Sequence, residues 1–186
     1  LRPAEVLLPI CREYEVAFIL NDRPDLAKQC GADGVHLGQE DLEEGAGCRV
    51  QDAEAVIAAV RKTLDPDAVI GVSAHASKHL AMEAAELGAD YVAFGAFYPT
   101  TSKPQAKIDK WGTPQPDILT WWSEYTVVPC VAIGGMTPET CGSCAAAGAD
   151  FIAAITAIWQ HPEGPGAAVE AFRAAIEEAV ALQESA

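Results

Sequence analysis

"GADYVAFGAFYPTTSKP" (residues 88–104) sets the reading of the chain. A glycine ends what precedes it, Tyr91–Phe94 make a short apolar run, and the run empties into Thr100, Thr101, Ser102 and Lys103. Apolar runs of this kind ordinarily end in turn residues such as Gly, Asn or Asp. Hydroxyls followed by a lysine are instead the chemistry of an anion site. The opening phrase recurs as "GADGV" from Gly31 and "GADFI" from Gly148. Each copy follows an Ala/Leu-rich helical pattern and precedes a β-type run, which reads as a C-capping glycine, a short turn and a strand. The intervals of 57 and 60 residues fit two strand–helix units per repeat.

Outward from that phrase, six apolar β-type runs appear at 16–20, 34–37, 68–73, 91–94, 127–133 and 151–156. Helical patterns lie at 1–14, 22–31, 52–63, 77–88, 115–124, 138–147 and 166–183. Short, continuously apolar strands alternating with helices predict a parallel sheet buried on both faces. The candidates are a (β/α)8 TIM barrel and an open doubly wound sheet. Polar groups or glycines follow nearly every strand: Asn21-Asp22, Gly38–Asp41, Ser73–His75, the hydroxyl cluster, Gly134-Gly135 and Thr156. A barrel mouth collects such groups from all strands, whereas an open sheet gathers them at one switch point. No G-x-G-x-x-G follows the first strand, which argues against a dinucleotide site. A barrel needs eight strands. The expectation is therefore an α/β chain, one domain over 1–186, a (β/α)8 TIM barrel lacking its first two strands through N-terminal truncation.

The 186 residues carry a formal net charge of −15 and no run of Lys or Arg. Nucleic acid and anionic membranes both demand basic patches, so neither is an expected partner. There is no leader pattern and no apolar run long enough to span a bilayer. Five of the six cysteines fall within predicted helices and strands, and the cysteines read as free thiols of a cytoplasmic protein. Cys141 and Cys144 could form a redox pair at a helix start, against the plainer reading of buried helix cysteines.

An acidic chain that binds an anion needs local devices. "AIGGMTPE" (residues 132–139) supplies one, with Gly134 and Gly135 letting backbone N–H groups approach a phosphate and Thr137-Pro138 opening a helix. A tight turn before a capped helix explains the same residues. Asp22 and Asp41 follow neighbouring strands and suit Mg²⁺ beside a phosphorylated ligand. Alternatively, Asp22 caps the next helix and Asp41 is a surface residue. Lys103, with Thr100 and Ser102, can hold a phosphate or be a solvated loop. His36 reads as a packed histidine, and His75, at a strand end, as a group that could touch a substrate ring. Trp111, Trp121 and Trp122 read as packing of an outer helix.

"LND" (20–22), "GADGVHLGQEDL" (31–42), "IGVSAH" (70–75), "YVAFGAFYPTTSKP" (91–104) and "VPCVAIGGMTPE" (128–139) resemble, in this order, the motifs of the thiamine phosphate synthase family. The resemblance implies a (β/α)8 barrel that couples a hydroxymethylpyrimidine diphosphate to a thiazole phosphate, releasing pyrophosphate with Mg²⁺ as cofactor. It implies a dissociative course, in which pyrophosphate leaves before the thiazole nitrogen attacks. It assigns Asp22 and Asp41 to Mg²⁺, and Asn21, Ser73 and Lys103 to the pyrimidine diphosphate, with Ser73 and Lys103 catalytic. Thr100, Ser102, Gly134, Gly135, Ile155 and Thr156 would line the thiazole phosphate site, and His75 would contact substrate. The family's Gln-x-Arg-x-Lys strand has no counterpart before Val16, which accords with the truncation. An open seam would invite pairing with a second copy, a homo-oligomer. The segment 43–51 is longer than the usual loop. A related thiazole tautomerase uses a histidine where this chain has Ala96, which favours the synthase; a non-catalytic phosphate-binding fragment is the other alternative.

Overall fold

The computed structural model describes residues 2–44, 53–101 and 109–185. The expected long segment at 43–51 falls largely outside them. Six strands are β1 (Ile19–Asn21), β2 (Gly34–Leu37), β3 (Val69–His75), β4 (Tyr91–Phe94), β5 (Cys130–Ile133) and β6 (Phe151–Ala153). They form one sheet in chain order, with β1–β2, β2–β3 and β5–β6 paired parallel. Helices among the described residues include α1 (Arg2–Glu13), α2 (Pro24–Cys30), α3 (Gln39–Glu44), α4 (Ala53–Thr63), α5 (Lys78–Glu86), α6 (Asp117–Tyr125), α7 (Pro138–Ala146), α8 (Thr156–Trp159) and α9 (Pro165–Glu184).

The expected elements are present, and their edges moved for physical reasons. β1 starts three residues later than expected and takes in Asn21. β5 starts at Cys130, because Val127 is 99% exposed and has no sheet to pack on. Thr156 does not end a strand; it opens α8. α3 and α8 were not anticipated, since a single turn or so of helix carries too little apolar periodicity to register.

Contacts divide the chain into two compact units, residues 1–73 with 80–92, and residues 74–79 with 93–186. In the first, Val35, Leu37, Ile70, Val72 and Val92 of the strands are fully buried, with Val56 and Val60 of α4. In the second, Trp122 of α6 meets Phe94 edge-on at 5.6 Å and Cys130, Ala132 and Leu119 complete the core. There α9 packs so closely on α7 that a side chain at Gly142 would meet the Ala179 Cβ at 3.0 Å.

The repeated phrase has one structural job. At each copy the glycine sits in the left-handed region, with φ of 72°, 93° and 100° at Gly31, Gly88 and Gly148. Its N–H and that of the following alanine bond back to the helix end, as in Gly31 to Lys28 O and Ala32 to Ala27 O. That is the Schellman arrangement, which satisfies orphan carbonyls. The aspartate then reaches the neighbouring strand. Asp33, Asp90 and Asp150 accept the N–H of Phe18, Ile70 and Cys130 at 2.7, 2.7 and 2.8 Å. Asp90 also pairs with Arg61 at 2.7 Å. Each phrase thus ends a helix and fixes the start of a strand.

Candidate active site

The first unit builds its strand ends from side chains. Beyond Asn21, Asp22 adopts φ 66°, a conformation aspartate tolerates better than most residues. Its N–H bonds to His36 O at 2.9 Å, and Arg23 N–H to Asn21 O at 2.8 Å. The N-cap of α2 is Arg23, so Asp22 is not the capping residue. Asp41, in the first turn of α3, accepts the Gly38 N–H on Oδ2 at 2.7 Å, so it is no plain surface residue. Gln39 is buried and donates from Nε2 to Ser73 O at 2.6 Å. His36 Nε2 lies 2.9 Å from Ser73 Oγ, and His36 Nδ1 2.9 Å from the Tyr91 hydroxyl. The two rings stack with centroids 5.5 Å apart. Burial pushes the Tyr91 phenol up to about 12. The packed reading of His36 therefore holds, and its packing is polar on both nitrogens.

The second unit builds its strand ends from backbone. Gly134 and Gly135 have φ of 97° and 67°. A Cβ on Gly134 would stand 2.4 Å from the Ala96 Cβ, and one on Gly135 2.6 Å from Pro99 O. The close approach that these glycines allow is therefore to the chain at 96–99, whose Phe97 and Tyr98 N–H groups bond Ile133 O and Gly134 O at 3.2 and 3.1 Å. Thr137 caps α7, its N–H bonded to Thr140 Oγ1 at 2.9 Å, and Pro138 opens the helix. His75 closes β3 at φ 53°, its ring flat against Trp111 at 4.8 Å and 5°. Trp111 is thus a stacking partner, a correction to its reading as outer packing. Thr100 is half-buried, and Ile155 and Thr156 are exposed at the start of α8. Ser102 and Lys103 lie outside the described residues.

Tyr91 and Gln39 join the His36–Ser73 cluster and were not singled out from the sequence. The signal available was a tyrosine opening an apolar run and a glutamine directly after a strand, each weak alone. Cys141 and Cys144 are free and buried, and burial raises both thiols, which is the opposite of what a reactive thiolate needs. Cys11, Cys30 and Cys130 are also free. Among the described residues no helix is long and apolar enough to cross a membrane.

A family model described as thiamine monophosphate synthase matches residues 1–158. A thiamine-phosphate synthase of Rhodospirillum centenum is 51% identical over 173 residues, covering 92% of this chain and 74% of that protein. One of Erythrobacter litoralis is 48% identical, covering 92% and 72%. The solved thiamine phosphate pyrophosphorylase of Pyrococcus furiosus superposes with TM-score 0.76 at 30% identity, covering 96% of this chain and 76% of that one. The chain therefore belongs to the thiamine monophosphate synthase family, transferases of thiamine biosynthesis.

Proposed function

We propose that the chain, as one domain over 1–186, joins a hydroxymethylpyrimidine diphosphate to a thiazole phosphate and releases pyrophosphate. The observation that supports this most is that the family match takes in every candidate position, from Asn21 to Thr156. The finer architecture proposed with it is six units of a (β/α)8 barrel, supported by parallel pairing in chain order. Free thiols among the described residues support action in the cytoplasm.

Asp22 and Asp41 would hold Mg²⁺. They fit it in donor chemistry: two hard carboxylates beyond the ends of paired strands, Asp41 keeping its second oxygen clear of the cap. Bound there, the ion would neutralise charge on the departing diphosphate. Asn21 and the Ser73 hydroxyl would bind the pyrimidine diphosphate, and Lys103 would follow the growing negative charge of its leaving group. Thr100, Ser102, Gly134, Gly135, Ile155 and Thr156 would seat the thiazole phosphate, and His75, backed by Trp111, would face a substrate ring.

The test is product formation from the two substrates by the purified chain, with Mg²⁺ and with chelator. Metal-dependent product is expected, and Asp22→Asn or Asp41→Asn should raise the Mg²⁺ concentration needed. No product from a folded sample in millimolar Mg²⁺ would reject the reaction, and undiminished product in chelator would reject the metal.

A further inference from the structure

Four residues from three strands and one helix converge in the first unit around Ser73, and three of them have no role in the reaction described so far. Ser73 Oγ is 2.9 Å from His36 Nε2, and the opposite ring nitrogen is 2.9 Å from Tyr91. The Tyr91 ring reaches His36 only because β3 offers no side chain beneath it. A Cβ at Gly71 would fall 1.9 Å from Tyr91 Cζ. Gln39 holds the Ser73 carbonyl from the other side, at 2.6 Å.

Hydrogen-bond inventory favours one direction for this chain. A phenol has one proton to give. Its partner among the described residues is His36 Nδ1, and burial keeps the phenol protonated, up to about 12. With the phenol donating, Nδ1 accepts, and the ring proton on Nε2 is donated to Ser73 Oγ; the reverse direction would leave the phenol proton without a partner among the described residues. The serine oxygen receives one bond and its own proton points elsewhere. A serine with a free rotor can either donate or accept; this one is held as a donor.

We propose that Tyr91 and His36 are positioning residues that orient the Ser73 hydroxyl as a hydrogen-bond donor to the diphosphate-bearing substrate. The ligand class rests on the function proposed above; the proton arrangement does not. A donor suits phosphate oxygens, which only accept, and pre-orientation spares the entropy of aligning the rotor at each turnover.

Two measurements test it. Long-range ¹H–¹⁵N correlation of histidine-labelled protein at neutral pH, with His36 assigned through His36→Gln, should show the Nε2–H tautomer; a proton on Nδ1 would overturn the arrangement. Tyr91→Phe should shift His36 toward mixed tautomers and lower kcat about 10-fold with KM changed under twofold, an effect of the size that groups orienting a functional side chain commonly have. In a Ser73→Ala background, Tyr91→Phe should add nothing further, because it acts through the serine. Additive losses would overturn the proposal. A chain with no turnover at all but with the Nε2–H tautomer would reject the reaction and leave the relay intact.

Discussion

In residues 1–73 with 80–92, the strand ends are finished by side chains bonded to side chains and carbonyls: Tyr91 to His36, His36 to Ser73, Gln39 to the Ser73 carbonyl, Asp41 to the Gly38 N–H. In residues 74–79 with 93–186, the corresponding ends are finished by bare backbone: Gly134 and Gly135 in left-handed conformations against the chain at 96–99. The difference matters for how each could fail. A side-chain network can lose one member and still fold, with the loss felt in what the remaining groups can donate or accept. A backbone crossing leaves no such slack, because the nearest atoms are main chain or Cβ and cannot swing away. One unit is built to orient protons, and the other is built to keep a tight crossing of two segments.

The largest expected effect is on synthase turnover. Asp41→Ala and Lys103→Ala should each cut synthase turnover about 100-fold or more, the scale of losing a group that meets charge developing in the transition state. Asp41→Asn keeps an oxygen for the Gly38 N–H, so it should hold the melting temperature while losing turnover. Wild-type rates in all three variants would remove these residues from the site.

Next comes the contrast between glycines. Gly135→Ala forces a left-handed alanine into main-chain atoms and should cost about 2–4 kcal/mol of stability in chemical denaturation. Gly71→Ala meets the end of a movable ring instead. It should displace Tyr91 and lower turnover more than it lowers stability. Equal stability losses at both positions would erase the distinction between the units.

A smaller effect is read with pH. Tyr91 titrates near 12 when folded, above the ordinary 10 for a tyrosine. Its folded pKa is raised, so its contribution is complete below pH 10 and is lost as pH rises from there toward 12, where the unfolded phenol has ionised first. The unfolding free energy of wild type should therefore fall more steeply across that window than that of Tyr91→Phe. Parallel curves would mean that the phenol is not desolvated.

The smallest effect concerns α1. Its end repeats the bonding of the glycine caps, with Glu15 N–H to Arg12 O and Val16 N–H to Cys11 O, but Glu15 holds φ 55° without being glycine. Glu15→Gly should stabilise the protein by about 0.5–1 kcal/mol, as relief of the left-handed penalty outweighs glycine's own entropy. A destabilised variant would show that the Glu15 side chain contributes more than the strain costs.

The α/β alternation, the six strands and the three capped helices were legible in the residues, because parallel strands buried on both faces read as unbroken apolar runs and the repeat restates one local rule. Thr137-Pro138 opening α7 was equally readable, since capping depends on neighbours in the chain. The rim was legible only in part. Asp22, Asp41, Ser73 and the glycines could be singled out because they lie at or beyond strand ends, but not what each of them touches. That the glycine pair admits another stretch of chain, that Trp111 lies on His75, and that Thr156 opens a helix could not be read from spacing.

Sequence by itself determined the order of the strands and the glycine-capped helix ends, which rest on periodicity or on contacts a few residues long, and the family, through the resemblance of five motifs. Tertiary structure alone decided which side chains meet at the strand ends. Tyr91 meets His36 across 55 residues and His36 meets Ser73 across 37. Which hydroxyl faces each ring nitrogen is settled only when β2, β3 and β4 have been brought into register.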